Sequence, residues 1–298
     1  MVSDDIRWLT VLGRLGLFVL IFAALSGVVV VPLATVLSGW ADTYPTQSQL
    51  YADVAGAVAI TMTTWIVVKY VDKRPLLTAG LDPKHALRDL SLGLAMGTAW
   101  LGISVGILVA AGWASPQDQL VFSAVALLFA GVSVLFNVLT QQLLVFGYIL
   151  QTIRAKAGLP TAVVVSALLF SAIHAAVFGG AWIPPINVLA AGLVFSLAYA
   201  ITGNLWLPIG IHFAWNMLLG PVLGLTVSGT GALGLGWTAF EIAGPTKYTG
   251  GAFGIEGGLI VTFTTFAFAA IQILLLARKE AGETELDHTT SVKNRNDR

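Results

Sequence analysis

Two histidines and one asparagine occur at helical spacing within apolar stretches of this sequence. His174 closes the run Phe170-Ser-Ala-Ile-His174, and His212 opens the run His212-Phe-Ala-Trp-Asn216. Residues four apart share a helix face, so Asn216 can hydrogen-bond the group that His212 contacts. An imidazole exchanges a proton near neutral pH, which is the property that acid–base catalysis requires. We interpret the three polar side chains as one site; for each histidine alone, the alternative is a buried hydrogen bond between helices.

A pair of glutamines forms a second polar feature. Gln141 and Gln142 interrupt an apolar stretch, and Asn137 lies one helical turn before Gln141 on the same face. Polar groups are costly inside a bilayer and are functional candidates by default. A glutamine pair can equally hold two helices together through hydrogen bonds, so spacing alone leaves both interpretations open.

Membrane helices must position these residues. The chain has 298 residues, of which 57% are hydrophobic and 10% charged, whereas a soluble domain has about 25% charged residues. Apolar runs long enough to cross a bilayer recur throughout, and unpaired backbone groups in lipid exclude open strands. We therefore predict an all-α polytopic membrane protein with about eight transmembrane helices. The predicted spans are roughly 15–37, 50–70, 88–112, 120–150, 159–178, 184–202, 206–226 and 256–277.

The distribution of basic residues predicts the orientation. With the N-terminus in the cytoplasm, fourteen of the fifteen Lys and Arg residues fall on the cytoplasmic side, and only Lys247 falls outside. This asymmetry follows the positive-inside rule, so we predict a multi-pass protein of the cell membrane with both termini cytoplasmic. The predicted regions are a transmembrane hairpin and cytoplasmic loop over 1–84, a core over 85–278 and a polar, disordered tail over 279–298.

The charge and cysteine content exclude several classes of function. The formal net charge is zero, so the electrostatic footprint of a nucleic-acid-binding protein is missing. The sequence contains no cysteine, which excludes disulfides, thiolate metal sites and a cysteine nucleophile. Membrane lipids are the partners that this composition predicts.

The polar residues resemble the motifs of the CPBP family, which comprises CAAX-type prenyl endopeptidases and bacteriocin-processing intramembrane proteases. That family has three motifs on its core helices: Glu-Glu-x-x-x-Arg, Phe-x-x-x-His and His-x-x-x-Asn. The second is intact at Phe170 and His174, and the third is intact at His212 and Asn216. The resemblance covers roughly 85–278 and is sharpest over 135–225.

The resemblance implies a CAAX-protease-like helical core and an intramembrane endopeptidase, a hydrolase that depends on glutamate or on a metal. In such a site a glutamate and two histidines activate water, and the asparagine stabilises the oxyanion. The residues at the corresponding positions here are Gln141, Gln142, His174, His212 and Asn216. His174 and His212 would be ligands if Zn²⁺ takes part, and the substrate would be a membrane-bound or lipidated peptide.

The first motif departs from the family pattern. Gln141 and Gln142 stand at its two glutamate positions, and Phe146 stands at its arginine position. A glutamine amide accepts hydrogen bonds but is not a useful base. Two histidines with amide oxygens are also a poor set of zinc ligands. We therefore expect proteolytic activity to be low or lost.

Carboxylates elsewhere in the sequence are not expected to replace the missing pair. No Asp or Glu occurs between Asp118 and Glu241. Asp118 and Glu256 are expected at the external face, away from the site. A neutral cluster of histidine, glutamine and asparagine is therefore predicted within the core.

Three hypotheses about function follow from these residues. The first is an intramembrane protease with a modified site. The second is a non-catalytic family member that binds a membrane peptide or partner in regulation or in bacteriocin-related immunity. The third is an unrelated small transporter, which the expected lack of intramembrane acids disfavours. Glutamates restored at Gln141 and Gln142 would separate the first two hypotheses, and solute flux would test the third.

Overall fold

The fold is built almost entirely from helices. A computed structural model describes residues 8–41, 45–117, 123–230 and 240–296. Its α-helices are α1 (Trp8–Ala41), α2 (Pro45–Ile66), α3 (Ala86–Ala110), α4 (Ala124–Gln141), α5 (Leu150–Ala172), α6 (Ile183–Thr202), α7 (Trp206–Met217), α8 (Thr246–Thr249) and α9 (Leu259–Asn296). Three π-helical segments, Val67–Val71, Gln142–Ile149 and Leu218–Val222, continue α2, α4 and α7.

The remaining regular elements are short. Five 3-10 turns cover Leu76–Ala79, Pro83–His85, Ala175–Val177, Gly251–Phe253 and Ile255–Gly257. Two strands, β1 (Ala114–Pro116) and β2 (Phe240–Ile242), pair antiparallel with Ser115 opposite Glu241. The predicted fold class, an all-α polytopic membrane protein, is confirmed.

The structure divides the membrane helices differently from the sequence prediction. Within the described ranges, six helices are long and apolar enough to cross a membrane: Trp8–Leu33, Ser48–Val71, Pro83–Ala110, Ala124–Ala172, Ile183–Thr202 and Leu259–Lys279. Two differences from the eight predicted spans account for this number. The predicted fourth and fifth spans lie in one helical stretch, and α7 has only 12 residues.

Gly158 interrupts the long stretch that begins with α4. Its φ of 80° and ψ of 171° are not helical, and glycine adopts positive φ without the steric cost that a Cβ carries. Pro160 follows two residues later, and proline is pre-set for the first turn of a new helix. The break falls in the connection that the sequence predicts between its fourth and fifth spans.

The C-terminal tail differs from the sequence prediction. Residues 279–296, expected to be disordered, continue α9 as helix to Asn296. The segment directly extends the helix of the last span, and extending an existing helix avoids the cost of a new nucleus. The predicted region boundaries at 84 and 278 stay predictions.

Helices α3 and α7 approach each other at backbone distance. A Cβ added at Gly93 or Gly97 would clash with the α7 backbone at Leu207 or Ile211, so only glycine permits this contact. At the adjoining helix start, Asp89 accepts a 2.9 Å hydrogen bond from Asn204 Nδ2. This packing fixes the position of α7, which carries His212.

Candidate functional site

His212 and Gln142 are the closest pair of predicted site residues. Gln142 Nε2 lies 3.2 Å from His212 Nδ1, and the Gln142 side chain is 0% exposed. For the amide to donate this bond, His212 Nδ1 must be the accepting nitrogen and Nε2 must carry the ring proton. The Gln142 oxygen, Oε1, is buried without a hydrogen-bond donor. The position that the family gives to a glutamate is therefore inside the site, as an amide.

A short π-helix carries Gln142 into the core. The segment Gln142–Ile149 interrupts the α-helical ladder between α4 and α5, and π-helical turns within α-helices often occur at functional sites. Seven of its eight residues are buried. The first motif from Gln142 onward thus lies on a locally widened turn, and Gln141 is the last residue of α4.

His174 lies at the end of α5 and is half-buried. Its Nδ1 lies 2.8 Å from the Phe170 carbonyl oxygen; since a carbonyl only accepts, Nδ1 carries the proton in this bond. In the neutral ring Nε2 is then the basic nitrogen. The second motif therefore fixes the tautomer of its own histidine, which the Phe-x-x-x-His spacing alone does not show.

Aromatic rings hold the two histidines on one side of the core. The Phe170 ring is 4.8 Å from the His174 ring and 5.9 Å from the His212 ring, between centroids. Phe195 stacks on His212 at 4.6 Å. Phe146 is fully buried and packs against Phe170 and Phe195 at 5.6 and 5.9 Å. An apolar ring thus fills the position at which the family has an arginine.

One cavity of about 210 Å³ brings most of the predicted site together. Gln141, His174, His212 and Asn216 line it. Gln142 reaches this cavity through its hydrogen bond to His212. Other polar side chains also line it: Asn137, which the sequence placed on the same helix face as Gln141, and Gln49, Asp53, Asn187, Ser228, Thr230, Glu256 and Thr265.

Asp53 of α2 is a buried carboxylate that the sequence analysis missed. It is 8% exposed, and it accepts hydrogen bonds from Asn137 Nδ2 at 3.0 Å, from Gln49 Nε2 at 3.1 Å and from Ser133 Oγ. Asn137 Oδ1 in turn accepts from Gln141 Nε2 at 2.7 Å. The predicted polar residues of α4, Asn137 and Gln141, therefore belong to a hydrogen-bond network that ends on Asp53.

Glu256 is the second carboxylate of the cavity. Its Oε1 accepts from Trp215 Nε1 at 2.8 Å, and its Oε2 accepts from the Ser228 backbone N–H and from Ser228 Oγ at 3.2 Å. It lies just before the span that begins at Leu259. Burial raises the pKa of the Glu256 carboxyl because the charged form loses hydration, although the bonds from Ser228 and Trp215 oppose this shift. Trp215 links this carboxylate to the His212–Asn216 helix.

These two residues correct the predicted lack of carboxylates. The expectation that no acid reaches the site is wrong, because Asp53 and Glu256 line the same cavity as His174. The argument against a transporter from missing intramembrane acids is wrong for the same reason. Asp118, the other acid considered, lies outside the described residues. The sequence feature that could have identified Asp53 is an acidic residue inside the predicted span 50–70. The corresponding feature for Glu256 is an acidic residue at the start of the last predicted span, 256–277.

The residues present do not fit a zinc site. Zinc sites in enzymes use three protein ligands from His, Asp, Glu or Cys. In the part of the chain that the structure describes, no three such side chains are grouped so as to hold a metal ion. At the glutamate position nearest His212, Gln142 offers only an amide. The predicted metal-ligand role of His174 and His212 stays a prediction, and the chemistry below includes no metal.

Residues 122–218 match the model of one protein family, which is described as type II CAAX prenyl endopeptidase, Rce1-like. The segment contains all three motifs and the five residues predicted for catalysis. This match confirms the resemblance that the motifs carry. No curated protein and no solved structure matches the chain.

Proposed function

Because residues 122–218 match the model of the Rce1-like family of type II CAAX prenyl endopeptidases but have glutamine at both glutamate positions of its first motif, we propose that this integral membrane protein binds a peptide and does not cleave it. The peptide is membrane-embedded or lipidated, and membrane lipids surround the protein. The observation that carries the proposal is Gln142, a fully buried amide 3.2 Å from His212. Such a protein would act by binding, in a regulatory or immunity role.

The chemical reason concerns the group that removes a proton from water. General-base catalysis contributes about 10²–10⁴-fold to rate, and the base in the family site is a carboxylate near the histidines. An amide cannot take that proton. The bond that Gln142 makes to His212 also engages one of the two ring nitrogens. These features support binding without turnover.

The cavity supports the binding part of the proposal. Its lining combines apolar side chains with a few fixed polar groups, which is typical of ligand sites. His174 and Asn216 line the cavity: His174 Nε2 can accept a hydrogen bond from a peptide amide, and the Asn216 amide can bond a peptide carbonyl or N–H, without any catalytic step. Because this chain lacks the glutamate pair and the arginine of the family's first motif, burial of its site carries a lower desolvation cost.

Restoration of the glutamates tests the proposal. The substrate is a quenched prenylated CaaX peptide, and the purified samples are the unaltered protein, Gln141→Glu with Gln142→Glu, and that double variant with His174→Ala. We expect no cleavage by the unaltered protein and measurable cleavage by the double variant, lost again with His174→Ala. A family member with intact glutamates serves as the positive control.

A second candidate is a protease that draws its base from outside the first motif. The observation in its favour is that Asp53 and Glu256 line the cavity with both histidines. If this candidate holds, the unaltered protein cleaves the peptide, and Asp53→Asn or Glu256→Gln abolishes cleavage. Cleavage that survives both substitutions would leave a histidine as the base.

A further inference from the structure

The cavity of the candidate site has an unbalanced set of charges. Two carboxylates, those of Asp53 and Glu256, belong to its lining. Among the described residues that line it, none is a lysine or arginine. Buried carboxylates in proteins are normally paired with a cation or a metal. These two instead accept hydrogen bonds from neutral donors, so no cation of the described lining is present to stabilise their ionised forms.

The amide side chains of the cavity add to this excess of acceptors. Asn187 is 3% exposed, and its Nδ2 donates to the Glu256 and Gly258 carbonyls at 2.7 and 3.1 Å. Its oxygen, Oδ1, has no donor. Gln141 repeats the pattern, since its Nε2 donates to Asn137 and its Oε1 has no donor. In both amides the nitrogen donates a hydrogen bond within the protein, and the oxygen has no hydrogen-bond donor.

From these observations we infer that the cavity binds an organic cation, the ammonium or guanidinium group of a basic residue in the bound peptide. This inference rests on the proposed function and names the class of peptide that it takes. A basic side chain offers several N–H donors and a positive charge. It would supply donors to the free oxygens of Asn187 and Gln141, and its one positive charge would balance the charge of one of the two carboxylates, Asp53 or Glu256. Charge-assisted bonds of this kind are about twice as strong as neutral ones.

Two observations favour a peptide side chain over other cations. No three His, Asp, Glu or Cys side chains of the described residues are grouped to hold a metal ion, so the acceptors suit a larger, extended donor. The cavity volume of about 210 Å³ is below the roughly 300–1,000 Å³ of sites for drug-sized ligands. It suits a side chain better than a lipid headgroup with its glycerol.

Two matched peptides test the inference. Both are farnesylated CaaX heptapeptides with a fluorophore; one has Lys at the two residues before the cysteine, and the other has norleucine there. Each is titrated onto the full-length protein in phosphatidylcholine nanodiscs, with fluorescence anisotropy as the readout. We expect the Lys peptide to bind about tenfold tighter or more, because a hydrogen bond to a charged group contributes more than a neutral one.

Single substitutions locate the source of the preference. Asp53→Asn and Glu256→Gln should each shrink the ratio of the two dissociation constants, while Glu241→Gln, at an exposed carboxylate on β2 outside the cavity, should leave it unchanged. Gel filtration and thermal unfolding identify any variant that does not fold. The comparison of the two peptides on the unaltered protein needs no variant, so it decides the inference in any case.

The outcomes separate this inference from the proposed function. Equal binding of both peptides overturns the inference and leaves the proposed function standing. Failure of both peptides to bind overturns both. A repeat in nanodiscs that contain phosphatidylethanolamine covers the lipid alternative: if its ammonium headgroup abolishes the preference for Lys in the unaltered protein, the headgroup is the occupant and the peptide assignment is wrong.

Discussion

Phe146 occupies the position at which the family resemblance places an arginine, and the structure explains why the chain keeps an apolar ring there. The ring is fully buried between Phe170 and Phe195. With Gln142 in place of a glutamate, an arginine at this position would have no charged partner within the motif. We therefore expect the residues at the two positions to depend on each other.

The dependence of these two residues gives a prediction. Phe146→Arg should destabilise the protein by about 3–5 kcal/mol, because it leaves a buried charge uncompensated. The loss should be smaller in the Gln142→Glu background, where a carboxylate is available. Thermal unfolding of the four proteins of this double-mutant cycle measures the coupling. An equal loss in both backgrounds would contradict the dependence.

Asn137 is the residue that connects Asp53 with Gln141. Asn137→Ala removes a bond to the carboxylate and leaves Gln141 Nε2 without its acceptor. We expect a cost of about 1–3 kcal/mol, since buried polar groups that lose a partner keep their desolvation penalty. Denaturant titration in mixed micelles measures it. Thr78→Ala, which removes an exposed hydroxyl that bonds only Pro75 O, is the control and should change stability by less than about 0.5 kcal/mol.

At the scale of elements, the glycines of α3 differ in how closely they approach α7. A Cβ at Gly93 would clash with the α7 backbone, whereas a Cβ at Gly102 would meet open space. Gly93→Ala should therefore destabilise the protein by about 1–3 kcal/mol. Gly102→Ala, on the same helix, should stabilise it by about 0.4–1 kcal/mol, because alanine restricts the unfolded chain. Equal effects of the two substitutions on thermal unfolding would contradict this packing.

The helices and the histidine motifs could be predicted from the sequence because their signals are local. The length of each apolar run predicts a membrane span. Helical spacing predicts that Phe170 shares a helix face with His174, and His212 with Asn216. Asp53 could not be placed in the same way, since it lies 84 residues before Asn137 and only the packing of α2 against α4 brings them together. Glu256 reaches the cavity through turns before α9, whose geometry no periodicity encodes.

At the scale of the whole molecule, the predicted orientation can be tested directly because the chain has no cysteine. Lys73 and Lys247 are exposed residues in connections predicted to face opposite sides. A membrane-impermeant maleimide should label Lys73→Cys only in inside-out vesicles and Lys247→Cys only in right-side-out cells, as the positive-inside rule requires. Labelling of both from the same side would mean that the predicted topology is wrong.

The whole molecule combines a segment that matches the Rce1-like family model, a buried amide at a glutamate position of the first motif and a cavity lined by polar and apolar side chains. We propose that the unaltered protein binds a peptide without cleaving it. One sample tests both binding and the lack of cleavage: a quenched prenylated CaaX peptide added to the purified protein, with anisotropy reporting binding and dequenching reporting cleavage. We predict that anisotropy rises and that no dequenching follows. Dequenching by the unaltered protein that His174→Ala removes would contradict binding without cleavage, since it would mean that a proton acceptor other than the first-motif pair supports hydrolysis.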